Sequence, residues 1–175
     1  MTAPEVSKTT AQIEHDVSPE MAAKLANGQM TLAQFAGLSR EQLYGMANIA
    51  YNLLNSGKLE EARDIYRGLV AADPFDSVFH CHLAAVHLRM GDNQAALREF
   101  DLALRFNVAN IDALAGRGET YLQLGQLSEA VTDLHSALEL DPKLSRASTI
   151  RARAILLSLK DAMDKYKSDE QDSAS

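Results

Sequence analysis

Gly57-Lys-Leu-Glu-Glu-Ala-Arg-Asp-Ile-Tyr-Arg-Gly-Leu-Val-Ala-Ala-Asp-Pro74 decides the fold, because its spacing returns twice further along the chain. Gly57, Gly91 and Gly125 stand 34 residues apart, and Ala62, Ala96 and Ala130 keep the same interval. So do the large residues Tyr66, Phe100 and Leu134, and the apolar set Leu69, Ala103 and Ala137. Pro74 and Pro142 lie 68 apart, with Val108 at the intervening place. Repetition at a fixed period of about 20–50 residues is the signature of a repeat architecture.

Each column has a physical reason. The glycine ends a first helix, since the residue after a helix favours a left-handed backbone. The alanine five positions on sits where two antiparallel helices cross closely. The large residue four further on fills the gap between one helix and its neighbour. Proline cannot continue the second helix. The unit is a helix–turn–helix, and it matches the tetratricopeptide pattern over roughly residues 43–144, in repeats 43–76, 77–110 and 111–144. Helix starts agree with this phase. Ser39-Arg-Glu-Gln42 reads as a capping box, Asp76 or Ser77 can cap the next repeat, and Asn110 the third. The spacing predicts helices over 40–55, 59–72, 77–90, 93–106, 111–124 and 127–140. The expected fold is all-α: three tandem repeats in a curved solenoid, with N-terminal helices and a C-terminal capping helix.

Outside the repeats, residues 1–17 are polar and unpatterned, and are expected to be disordered. Ser18-Pro19-Glu20 opens a short helix ended by Gly28, and 31–37 reads as a single further turn, both within an N-terminal segment 18–42. Residues 145–167 form a longer helix with Ala147, Ile150, Ala154, Leu157 and Ala162 on one stripe, suited to covering the last apolar surface of the stack. The tail 168–175 is expected to be disordered.

Composition excludes several functions. Of 175 residues 46% are hydrophobic and 23% charged, and the net charge of −7 disfavours nucleic acid and anionic lipid. No stretch reaches the roughly 18–20 apolar residues that span a bilayer, and the first residues lack a secretory pattern, so no membrane contact and a cytoplasmic location are expected. Cys81 is the single cysteine. His80, Cys81, His82 and His87 are the nearest approach to a metal cluster, but their helical phase scatters them, so no metal is expected. No nucleophile elbow or phosphate-cradling glycine loop is present, and no cofactor or catalysis is expected. The basic residues Arg146, Arg151, Arg153, Lys160, Lys165 and Lys167, interleaved with Asp161 and Asp164, read as a solvated helix face.

A stacked array presents the first helix of each repeat on its concave side. Numbering repeats from Leu43, Ser77 and Ile111, positions 4, 7, 8 and 11 face the packed interior, while positions 2, 5, 9 and 12 share the groove. The groove set is Tyr44, Ala47, Tyr51 and Leu54; Val78, Cys81, Ala85 and Leu88; and Asp112, Ala115, Glu119 and Leu122. The first two groups are mostly apolar with two tyrosines, which suits an extended peptide with hydrophobic anchors. Coverage by the N-terminal segment or a dimer mate is the alternative. A carboxylate clamp is not expected, since Ala47, Tyr51, His82, Asp112 and Gly116 hold the relevant places and none is a fixed cation.

The segments Gly28-Gln-Met-Thr-Leu-Ala-Gln-Phe-Ala-Gly-Leu-Ser39, Ile49-Ala-Tyr-Asn-Leu-Leu-Asn-Ser-Gly-Lys-Leu-Glu-Glu-Ala62 and Asp73-Pro-Phe-Asp-Ser-Val-Phe79 resemble the class II chaperones of bacterial type III secretion systems. The resemblance covers about residues 28–145. It implies a cytoplasmic protein that holds a hydrophobic translocator before export, with an extended client segment in the concave groove and Tyr44 and Tyr51 as aromatic groove residues. It also implies homodimers through the N-terminal helices, here residues 18–42. Leu54 stands where that family often has a tyrosine, and His80 where it often has an aromatic residue or leucine. A general repeat adaptor, bridging or regulating other proteins, is the alternative function.

Overall fold

Gly57, Gly91 and Gly125 have φ of 81°, 80° and 74°, the left-handed conformation that turns the chain between paired helices. The computed structural model describes residues 18–173, and every regular element among them is helical. The order is α1 (Pro19–Ala26), α2 (Leu32–Phe35), α3 (Arg40–Asn55), α4 (Leu59–Ala72), α5 (Ser77–Arg89), α6 (Asn93–Phe106), α7 (Ile111–Gln123), α8 (Leu127–Leu140) and α9 (Ala147–Ser173). The pairs α3–α4, α5–α6 and α7–α8 are the three repeats, and each second helix also packs against the first helix of the next repeat.

The first helix of each repeat is started by a side-chain cap. Ser39 and Gln42 form the capping box in both directions, at 3.2 and 2.8 Å. Asp76 caps α5 by accepting from the Val78 and Phe79 amides. Ser77 does not cap. Its buried hydroxyl donates to the Ala103 carbonyl at 2.8 Å and accepts from Asn110. Asn110 in turn caps α7 through the Ala113 amide. Ser77, Ala103 and Asn110 thus tie the entry of repeat three to the body of repeat two.

The repeated columns are the core. Ala62, Ala96 and Ala130 are fully buried, as are Tyr66 and Leu134, with Phe100 nearly so. Leu43, Ala50, Tyr66, Phe79 and Val86 belong to one apolar cluster, and Ala84, Phe100, Leu114, Leu134 and Ala152 to a second.

Helix α9 closes the stack against α7 and α8. Its entrance is held by the buried Asp141 carboxylate, which accepts from the Ser145 and Arg146 amides and from the Thr149 hydroxyl at 2.6 Å. These bonds hold Asp141 well below the usual carboxylate range, the Thr149 hydroxyl contributing most. The helix runs on to Ser173, past the expected end at residue 167, because no glycine or proline interrupts it. The expectations for residues 1–17 and 174–175 lie outside the described residues.

One set of interior positions is not interior. Met46 and Ile49, at positions 4 and 7 of repeat one, are 37% and 57% exposed. Among the described residues the elements before α3 do not cover this face: α2 packs on α4, and α1 on α2.

Candidate peptide-binding groove

A cleft of about 550 Å³ runs obliquely across the concave face, from the last turns of α3, over α5, to the first turns of α7 and α9. Its apolar end consists of Tyr51, Leu54, Cys81, Ala85 and Leu88. Tyr51 is 44% exposed, so its ring forms an open wall. Beneath the cleft, Phe100 lies against Gly116, where a side chain would collide with the ring. Arg89 donates to the Leu54 carbonyl at 2.8 Å, which links the ends of α3 and α5. Burial pushes the Cys81 thiol up to about 12, so it is a small apolar lining group and not a nucleophile.

The other end is polar and internally neutralised. Arg146 donates to Asp112 at 2.5 Å, Ser148 bonds the other oxygen of Asp112, and Arg151 donates to Glu119 at 3.1 Å. The two acids of the third groove set, Asp112 and Glu119, are therefore paired with α9. Arg146 and Arg151, expected on a solvated helix face, are exposed and also line the cleft.

Of the groove positions read from the repeat phase, the cleft brings together Tyr51, Leu54, Cys81, Ala85, Leu88, Asp112 and Glu119. Five are placed elsewhere. Ala47 and Ala115 are buried at helix contacts, and Leu122 packs on the second apolar cluster. Tyr44 and Val78 line a separate hollow of about 580 Å³ beside α2, where the Tyr44 hydroxyl donates to Asp76 at 2.9 Å. Angular phase selects a face along the whole helix, but the cleft uses only the last turns of α3 and, on α7, the stretch from Asp112 to Glu119. Conversely, His82, Asn55, Arg89 and the start of α9 line the cleft without having been selected. A signal for α9 was available: Arg146 lies 34 residues after Asp112, and Ala152, fully buried, 34 after Gly118.

The histidines have unlike environments. His80 is buried, with Nδ1 2.7 Å from Glu99 and Nε2 3.0 Å from the Pro74 carbonyl. His82 stacks on Tyr66 and faces the cleft. Among the described residues no three His, Cys, Asp or Glu side chains converge as a metal site would require.

Known proteins share this geometry. Two tetratricopeptide repeat family models match residues 47–110 and 111–144. Low calcium response locus protein H of Yersinia pseudotuberculosis is 28% identical over 156 residues, spanning 87% of this chain and 90% of that protein. SycD of Yersinia enterocolitica, a type III secretion chaperone solved with a peptide of the translocator YopD, superposes with a TM-score of 0.62 at 26% identity, over 74% of this chain and 97% of that one. PcrH of Pseudomonas aeruginosa, solved with the chaperone-binding region of PopD, gives a TM-score of 0.64 at 25% identity, over 73% of this chain and 97% of that one. The chain belongs to the class II type III secretion chaperones, built on tetratricopeptide repeats. Within this family SycD has also been described in an alternative dimer. In this member the third repeat ends where α9 begins to pair with α7 and α8, so the groove is a product of the repeats and their cap together.

Proposed function

We propose that this chain is a cytoplasmic bacterial chaperone that holds an extended apolar segment of a type III secretion translocator, keeping it soluble and unassembled before export. It acts by binding and not by catalysis. The observation that carries this reading is the open apolar cleft of Tyr51, Leu54, Cys81, Ala85 and Leu88, on a fold whose relatives SycD and PcrH are solved with translocator segments. Removing aliphatic side chains from water in such a cleft contributes about 25 cal/mol per Å². The paired acids at the α9 end add no net charge to oppose an apolar client.

Exposed apolar side chains in the N-terminal segment, Leu32 and Leu38, together with exposed Met46 and Ile49 on α3, support a homodimer through residues 18–42. Apolar surface left open at the end of a stack is a usual site for a protein contact.

Co-expression with translocators from the same gene cluster, followed by co-purification, tests the function. The parent chain is expected to retain a translocator in solution, while Tyr51→Ala and Ala85→Asp lose most of it. Undiminished retention by both variants would sink the groove reading. Sizing with and without residues 1–30 tests the dimer.

A further inference from the structure

The apolar end of the cleft contains one histidine whose hydrogen-bonding capacity is unspent. His82 stands among Tyr51, Leu54, Cys81 and Ala85. Its imidazole lies nearly parallel to the Tyr66 ring, at 5.3 Å and 19°, and meets the Tyr51 ring edge-on at 5.7 Å and 65°. Tyr66 is fully buried and anchored by its hydroxyl to the Ala47 carbonyl at 3.0 Å. The His82 ring plane is thus set by packing alone. Among the described residues neither of its nitrogens has a hydrogen-bond partner, and neither is completely enclosed. His80, two residues earlier, has both nitrogens occupied.

An extended segment lying in an apolar cleft brings main-chain N–H and C=O groups that must be paired, because leaving one buried and unpaired costs as much as a lost hydrogen bond. Leu54, Ala85 and Leu88 offer no side-chain donor or acceptor, and the Cys81 thiol is a weak one. Arg89 has one donor engaged with the Leu54 carbonyl and, like any guanidinium, no acceptor to offer, so His82 joins the Tyr51 hydroxyl and the Asn55 amide as the groups at this end able both to donate and to accept.

We infer that His82 pairs with the main chain of the segment held in the groove, and that it does so as a neutral imidazole. The inference rests on the groove reading and adds a named contact to it. A neutral ring carries one N–H and one bare nitrogen, so it serves either a carbonyl or an amide of the client. A protonated ring has no acceptor and places a charge in an apolar site. The titratable and charged groups facing His82 are Tyr51 on α3, Tyr66 on α4, Cys81 beside it on α5, and Asp112, paired with Arg146 of α9, across the cleft. Burial raises both Tyr66 and Cys81, so neither titrates near neutrality. For His82 itself burial disfavours the cation more than the Asp112 and Asp76 charges favour it, and the net direction is downward.

The test uses the full chain and two synthetic probes, the chaperone-binding region of PopD and the YopD peptide, titrated calorimetrically at pH 7.5 and 5.5. His82→Phe keeps the ring stack and removes the hydrogen bond; His82→Gln keeps donor and acceptor and cannot titrate. The parent is expected to bind more weakly at pH 5.5 than at pH 7.5. His82→Phe loses about fivefold at pH 7.5, the size of one net hydrogen bond. His82→Gln stays within about twofold of the parent at pH 7.5, and neither variant keeps the pH step. Parental affinity in His82→Phe, or an unchanged pH step in both variants, overturns the inference. If Tyr51→Ala abolishes binding while His82→Phe leaves it intact, the groove stands and this contact falls. If the parent binds neither probe, the groove reading fails and takes the contact with it. Should His82→Phe not fold, His82→Gln carries the pH arm, alongside the ring-nitrogen NMR titration of His82 in the free parent, where a midpoint at or above the ordinary histidine value of about 6.5 overturns the inference.

Discussion

Phe100 of repeat two rests its ring on the backbone of Gly116 in repeat three, at a distance that leaves no room for a β-carbon. The ring is almost wholly buried and cannot swing aside. Gly116→Ala therefore sets up to about 1 kcal/mol of helix propensity against an overpacking cost of about 1–3 kcal/mol, and the clash wins. Thermal unfolding should shift downward by a few degrees. Gly68, in the interior of α4 with open space around it, supplies the control: Gly68→Ala should raise the midpoint.

Tyr66→Phe removes the buried hydroxyl that donates to the Ala47 carbonyl at 3.0 Å and leaves the ring in place. The loss should be about 1 kcal/mol by urea denaturation, because that carbonyl keeps its helical partner. A neutral result would show that the ring alone holds α3 to α4.

Two arginines on the same fold should differ greatly. Arg117 grips both oxygens of Asp133 at 2.6 and 2.9 Å and reaches Asp101 at 2.7 Å, and the Asp133 side chain is only 8% exposed. Arg117→Ala strands a buried carboxylate and should cost about 3 kcal/mol. Arg151, 58% exposed against Glu119, lies in solvent-screened surroundings, and Arg151→Ala should cost under about 0.5 kcal/mol. Equal losses in the two variants would contradict the burial argument.

Stability should fall as pH rises past neutrality, and His80 should be the cause. Both of its ring nitrogens face acceptors, the Glu99 carboxylate and the Pro74 carbonyl, so both bonds require the imidazolium. Burial opposes that cation, but the bonds to Glu99 and Pro74 and the charges of Glu99 and Asp76 outweigh it and raise His80. A raised folded value contributes stability that is complete below the unfolded value of about 6.5 and disappears as pH climbs through the folded one. Denaturation from pH 6 to 9 should show the parent converging on His80→Leu; a constant gap would mean that the ring packs but does not titrate.

The 34-residue period by itself determined the helix pairs, their left-handed glycine turns, the buried alanine and large-residue columns and the Asp76 and Asn110 caps, while the Ser39 cap was legible from its local capping box. These depend on local backbone preference and on contacts between neighbouring repeats, which a periodic sequence states again in every unit. It also indicated an apolar groove at the α3–α5 end, because Tyr51, Leu54, Ala85 and Leu88 recur on one helical phase. The tertiary structure alone decided where that groove opens. Packing between helices placed Tyr44 and Val78 at a separate hollow beside α2 and buried Ala47 and Ala115 at helix contacts. The closing helix brought Arg146 and Arg151 onto Asp112 and Glu119, a meeting of residues more than 30 positions apart that helical phase within one repeat does not encode. The same holds for His82: its place on α5 is periodic, but its orientation is set by two other helices, Tyr66 of α4 stacking on its face and Tyr51 of α3 meeting it in a T-shaped contact.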